Sequence, residues 1–286
     1  MPTEVSPKPE TTQEGVPSAA RTRRLRRWGI GLGLAAVVYL AIAYLLLPAL
    51  WKHYEHHPAM QEAPKVTLTS ANIPGDPLNV ALVGAEEEVL GAMLKAGWQP
   101  ADPITVRSSL HIAASVLLDR SYVRAPVSSL YVWGRKQDLA FEKRAGRSPS
   151  ERHHVRFWRG EGLDYQGRPL WIGAVTFDQS VGVSHLTGQI THHIAPDVDA
   201  ERDGLMRDLE KAGQLTELFQ VSGVGPTLNG RNGGGDRYYT NGELSVGVLS
   251  EQNAVRSAGP SLPSNPPTIQ VKDTLWNWLR PMLGTD

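Results

Sequence analysis

Histidine is the residue type best supplied for chemistry in this 286-residue chain, with nine copies. Six of them, His111, His153, His154, His185, His192 and His193, fall between residues 77 and 250, with Asp178, Asp197 and Asp199 close by in sequence. Neutral imidazole combined with carboxylate suits zinc, iron or manganese. Two of the pairs are adjacent, however, and neighbours on a strand face opposite ways, so at most one member of each pair can join a single site. The metal site that can be built takes His154, His185, Asp178 and either His193 or His192 from neighbouring strands. Against it, the same rings can simply hydrogen-bond backbone or carboxylates within a sheet, while Asp197, Asp199 and Glu201 complement the start of a helix. Neither HExxH nor an EF-hand spacing is present, so no resident cofactor is expected and a divalent metal is the open alternative.

Other chemistry is thinner. Cysteine is absent, which removes thiol nucleophiles, disulfides and Cys-ligated zinc or iron–sulfur sites. Ser184 and His185 are neighbours, but no GxSxG turn presents a serine to a base, so no catalytic residue is assigned. Arg135, Gln137 and Asp138, in GRKQDLAF, form either a polar recognition patch for an anionic group or a turn between strands. The glycine-rich GVGPTLNGRNGGG at 223–235 lacks the Lys-Ser/Thr pair of a phosphate loop and reads as a hairpin loop.

The elements that must position these residues follow from periodicity. LNVALVG (78–84) is a short apolar run of buried-strand type, and EEEVLGAMLKAG after it carries Val89, Leu90, Met93 and Leu94 on one helical face, with Gly97 as its stop. A second helix is expected after Pro103. Residues 129–134, 139–142, 155–158 and 170–177 are short, aromatic and β-branched, which predicts an antiparallel sheet. A helix over 197–212 and a strand over 215–221 come next, and Tyr238 to Val248 around Asn241-Gly242 predicts a type I′ hairpin. Helices and strands in segregated runs give an α+β fold, an antiparallel sheet with helices packed on one face.

Ahead of this domain, residues 28–50 contain no charged side chain. At about 1.5 Å per residue they span roughly 34 Å, enough to cross ~30 Å of hydrocarbon, which predicts one transmembrane helix. Arg21, Arg23, Arg24, Arg26 and Arg27 precede it while Lys52 follows, so the amino terminus is expected in the cytoplasm and the domain in the periplasm or outside the cell. A cleaved signal peptide is the rival, with a shorter apolar core and a small-x-small site. The expected layout is a disordered cytoplasmic arm at 1–27, the helix at 28–50, a linker at 51–76, the α+β domain at 77–250 and a Pro/Ser-rich tail at 251–286. In that tail Leu275, Trp278, Leu279 and Met282 share a helical face that either docks on its own domain or touches the membrane. Charge is balanced overall and the only basic cluster abuts the apolar run, so nucleic acid is not an expected partner.

Several blocks resemble the bacterial LssY C-terminal domain family: DPLNVALVG (76–84), AGWQPADPIT (96–105), APVSSLYVWGRKQDLAFEK (125–143), RHHVRFWR (152–159), RPLWIGAVTFD (168–178) and TGQITHHIAPDVDAERD (187–203). The resemblance implies an inner-membrane and envelope setting, often beside multi-pass and phosphatidic-acid-phosphatase-like segments, and an uncharacterised domain. It carries no catalytic set, and this chain has one spanning helix and no PSGH block, so phosphatase activity is not inherited. The expectation is a non-enzymatic binding or accessory module for export or envelope lipid handling, with an envelope or export protein as a possible partner. The alternative is a metal-dependent hydrolase of envelope lipids or phosphates.

Overall fold

A computed structural model describes residues 19–47, 49, 63–101, 129–145, 151–183, 190–222, 229–251, 265 and 267–283. The helix expected after Pro103, His111 and His185 lie outside these residues. The chain divides into two units, Met1–His53 and Tyr54–Asp286.

The first unit is helix α1 (Ala19–Ala41), continued by a π turn at Ile42–Leu46. The stretch Arg23–Leu46, 24 residues, is long and apolar enough to cross a membrane, and none of its most apolar window is buried. Trp28, Ile30, Leu34, Val37 and Leu45 are all exposed, so apolar side chains cover every face and no stripe marks it for a protein core. The helix begins ahead of the apolar run, and exposed Arg23, Arg24, Arg26 and Arg27 ride on its early turns.

The second unit is built on an eight-stranded sheet. In chain order its elements are β1 (Val66–Leu68), β2 (Pro74–Pro77), β3 (Val80–Val83), α2 (Glu86–Lys95), β4 (Gln99–Pro100), β5 (Tyr131–Val132), β6 (Arg135–Lys136), β7 (Leu139–Arg144), β8 (Arg152–Tyr165) and β9 (Arg168–Val183). There follow β10 (Ile190–Ile194), α3 (Val198–Lys211), β11 (Leu215–Ser222), β12 (Asn229–Arg231), β13 (Arg237–Tyr239), β14 (Glu243–Leu249) and α4 (Pro267–Leu283). The large sheet runs β11-β14-β3-β9-β8-β7-β4, with β10 also on β9; β2-β1-β5-β6 form a small sheet and β12-β13 a separate ribbon.

Strand alternation divides the core in two. One face, with Leu82, Phe141, Val155, Phe157 and Val175, packs under Val89 and Met93 of α2 and Leu205, Met206 and Leu209 of α3. The other, with Ala81, Trp158, Ile172, Ala174 and Val246, meets Leu130 and Val132 at the small sheet. The α+β class, with helices on one face of the large sheet, is therefore observed. Gly97 ends α2 at φ +85, a left-handed geometry that glycine adopts without a Cβ clash. Asp197 caps α3, its carboxylate accepting from the Ala200 N–H at 3.0 Å.

Two expectations need correction. The sheet is mixed, because β14 runs parallel to β3, from Ser245 opposite Val80 to Val248 opposite Val83. Every residue of β14 is buried, as suits a strand covered on both faces. The hairpin expected at Asn241-Gly242 does not form: β13 pairs with β12, and β14 pairs with β11 and β3. A type I′ turn needs positive φ at both central residues, and here Gly242 has it while Asn241 does not. Side chains of α3 hold the segment instead. The buried Asp199 carboxylate accepts from Thr240 Oγ1 (2.6 Å) and the Asn241 N–H (2.8 Å), and Arg202 Nη1 donates to Asn241 Oδ1 (2.7 Å) and to Asp199 Oδ1 (3.2 Å).

Candidate functional site

The polar ledge under the small sheet begins with the spacing of β8. Arg152, His154 and Arg156 alternate, so all three leave the same face of the strand. Register sets Arg152 opposite Asp178 and His154 opposite Thr176 on β9, and Glu142 of β7 opposite His154 on the other side. All of these except Glu142 are buried, His154 to 3% exposure and Asp178 to 1%. The helix-facing side of the same strands carries Val155, Phe157 and Val175, with His153 as its polar member.

Arg152 is the hub. Its Nη1 donates to Glu142 Oε2 (3.0 Å), its Nε to Asp178 Oδ2 (3.3 Å), and its Nη2 lies 3.3 Å from His192 Nε2 on β10. Arg156 Nη1 donates to Asp76 Oδ2 at 3.2 Å, drawing in β2 from 80 positions earlier in the chain. His154 Nδ1 comes within 3.1 Å of Asp178 Oδ2. That approach lacks hydrogen-bond alignment, and among the described residues neither ring nitrogen of His154 has a hydrogen-bond partner. The buried Thr176 hydroxyl has none either. Leaving such a group unsatisfied costs about 1–3 kcal/mol.

Burial sets the charge states. It pushes the Asp178 carboxyl up to about 7, against the opposing pull of Arg156 and Arg152. Asp76 is likewise raised by burial, with Arg156 pulling it back. His154 is held well below its ordinary value, first by burial and then by the positive charges of Arg156 and Arg152. Its contact with Asp178 is therefore that of a neutral imidazole, whatever the ion-pair distance suggests. At neutral pH the ledge holds two guanidinium groups, a neutral imidazole, a hydroxyl, the carboxyls of Glu142 and Asp76 against those guanidinium groups, and the Asp178 carboxyl poised between its charged and neutral forms.

Of the residues singled out from sequence, the ledge brings together His154 and Asp178. His193 pairs with Asp236 (Nδ1 to Oδ1, 2.6 Å), which also accepts the Ile194 N–H at 3.2 Å. It is His192 that reaches Arg152. His153 faces the helices, 2.6 Å from Glu201. Among the described residues no group of three or more His, Asp or Glu is placed to hold a metal. Arg135, Gln137 and Asp138 hold a turn at Trp133 and Gly134, both at positive φ. The Arg135 guanidinium engages Asp138 and the Arg159 carbonyl, Asp138 accepts the Arg159 N–H at 2.7 Å, and Gln137 Oε1 accepts the Leu130 N–H at 3.2 Å.

Arg152, Arg156, Thr176 and Asp76 were not among the sequence candidates. The alternation in RHHVRFWR was the available signal, since arginines four apart on a strand share a face with the residue midway between them.

A family model described as LssY C-terminus matches residues 60–244, a stretch that includes every residue of the ledge. No curated protein and no solved structure matches the chain.

Proposed function

We propose, from the premise that the chain belongs to the LssY C-terminus family, that it is a membrane-tethered envelope module which binds a phosphate-bearing envelope ligand on the Arg152–His154–Arg156 ledge. The tether is the helix Arg23–Leu46. Four exposed arginines on its early turns argue for a cytoplasmic amino terminus and a domain on the periplasmic or outer side.

One observation carries the ligand reading: a buried imidazole and a buried hydroxyl with no hydrogen-bond partner among the described residues, set between two buried guanidinium groups. Guanidinium, neutral imidazole and hydroxyl are donors suited to phosphate oxygens. Asp178 would oppose an anion when charged, and a carboxyl titrating near 7 removes that opposition by taking up a proton. No step of bond making or breaking is needed, so the module binds, and handling of an envelope lipid or an exported glycan fits that role.

The test is native mass spectrometry of the full chain released from membranes in mild detergent. The expected result is a co-purifying phosphate-bearing molecule at near one per chain, absent from a His154→Leu, Thr176→Val double variant. Turnover of an envelope ester without a stable complex would contradict the reading, and stoichiometric metal by elemental analysis would favour the hydrolase alternative.

A further inference from the structure

The carboxy-terminal helix α4 is fixed to the domain by one face and exposes the other. Inward, Ile269 and Trp276 are buried, and the Trp276 ring lies 6.2 Å from that of Tyr239. Arg280 grips Asp197 at the cap of α3 through two hydrogen bonds, Nε to Oδ2 at 2.7 Å and Nη2 to Oδ1 at 2.8 Å. Asp273 Oδ1 accepts from Asn241 Nδ2 (3.3 Å), and Lys272 Nζ stands 3.5 Å from Glu243 at the start of β14. Residues 269, 272, 273, 276 and 280 thus recur at helical spacing as a docking face that sets the helix's rotation about its axis.

Outward, Val271, Leu275, Trp278, Leu279 and Met282 recur at the same spacing, and all five are exposed, Trp278 to 65%. The ridge contains no charged residue. A contiguous apolar patch on a soluble surface marks an interaction site. What covers it is argued by the rest of the chain. Sixteen residues, 47–62, lie between the end of a helix able to cross a bilayer and the first described residue of the domain, and at no more than ~3.6 Å each they reach at most about 60 Å. A domain so leashed meets lipid continually. An uncharged apolar ridge with an exposed tryptophan, on a helix whose opposite side is already buried and ion-paired against the domain, is the surface that settles in the headgroup region.

We infer that α4 is an interfacial membrane-contact helix, which lays Val271, Leu275, Trp278, Leu279 and Met282 into the bilayer that holds the tether. This rests on the tether reading, and it adds an orientation: the α3 cap and the start of β14, to which α4 is clamped, face the membrane. Because the ridge is uncharged, the contact persists at high salt.

The chain has no native cysteine, so single nitroxide labels are unambiguous. Full-length chains carrying Val271→Cys, Leu275→Cys or Leu279→Cys are placed in phosphatidylcholine nanodiscs, with Arg207→Cys, an exposed position of α3, as the aqueous reference and Tyr39→Cys reporting the tether. The expected result is a severalfold higher ratio of oxygen to nickel-complex accessibility at 271, 275 and 279 than at 207. Water-like accessibility at those sites with Tyr39 in lipid would overturn the inference and leave the tether standing. Water-like accessibility at Tyr39 would remove both. Labels at 279 screened from both reagents and broadened by one another would assign the ridge to a second copy, which also overturns it.

Discussion

The Asp178 and His154 side chains lie together on the inner face of β9 and β8, Oδ2 3.1 Å from Nδ1, without forming a hydrogen bond. Burial drives both toward neutrality, the acid by raising its pKa and the base by lowering it. Their contributions to stability therefore depend on pH with opposite signs.

For Asp178 the folded value, about 7, lies above the ordinary 3.8. Its contribution is fully present below about pH 3.8 and is lost as pH rises through 7. For His154 the folded value lies below 6.5, so its contribution is present above 6.5 and is lost as pH falls through the folded value. Denaturant midpoints measured against pH check this. The stability difference between wild type and Asp178→Asn moves against wild type between about pH 4 and 7, and that between wild type and His154→Phe moves in favour of wild type as pH rises toward 6.5. Parallel curves for the two variants would show that neither group is shifted.

The double variant His154→Leu, Thr176→Val replaces two unpartnered buried polar groups with apolar ones of similar size. Removing such groups is neutral or stabilising, here by roughly 1 kcal/mol, because no hydrogen bond is lost. A raised urea midpoint is the expected outcome, and a drop of 2 kcal/mol or more on the same scale would mean that these groups have structural partners.

Asp199 behaves otherwise, being buried and bonded to Arg202, Thr240 and the Asn241 N–H. Asp199→Ala takes the buried acceptor from Thr240 and the Asn241 N–H and one of two carboxylates from Arg202, which keeps Asp203 at 3.0 Å, and so frees the segment that takes the place of a hairpin. The cost is about 1–3 kcal/mol, that of leaving buried donors without an acceptor, read as a lowered midpoint, with faster amide exchange at the start of β14.

Gly173 has no room for a side chain. A Cβ there would lie 2.6 Å from the Phe157 ring and 2.9 Å from the Arg156 carbonyl oxygen. Gly173→Ala should cost about 1–3 kcal/mol through forced displacement of β8, and thermal unfolding measures it.

Local signals were read well from sequence. The apolar run, the strand at Val80–Val83, and the amphipathic faces and stops of α2 and α3 all announced themselves through periodicity and end residues. The long strands β8 and β9 were seen only in their apolar middles, because Arg152, His154 and Asp178 look like strand ends until a second layer covers them. Long-range pairing was not legible. Asn241-Gly242 carries a hairpin signal, yet Asp199 and Arg202, some 40 positions earlier, hold its backbone elsewhere. The ledge was half legible for the same reason: His154 and Asp178 were singled out, but Asp76 reaches Arg156 from 80 positions away through the small sheet. Arg135, Gln137 and Asp138 showed their composition in sequence, while their engagement with Leu130 and Arg159 belongs to the folded turn.

The central claim is that the ledge binds a phosphate group, and calorimetric titration of the full chain in phosphatidylcholine nanodiscs with glycerol phosphate at pH 6 and pH 8 tests it most directly. The account predicts one saturable site, tighter at pH 6 because Asp178 is then neutral, and lost in the folded His154→Leu, Thr176→Val variant. Absence of saturable binding at both pH values, or binding that the double variant leaves unchanged, would contradict it.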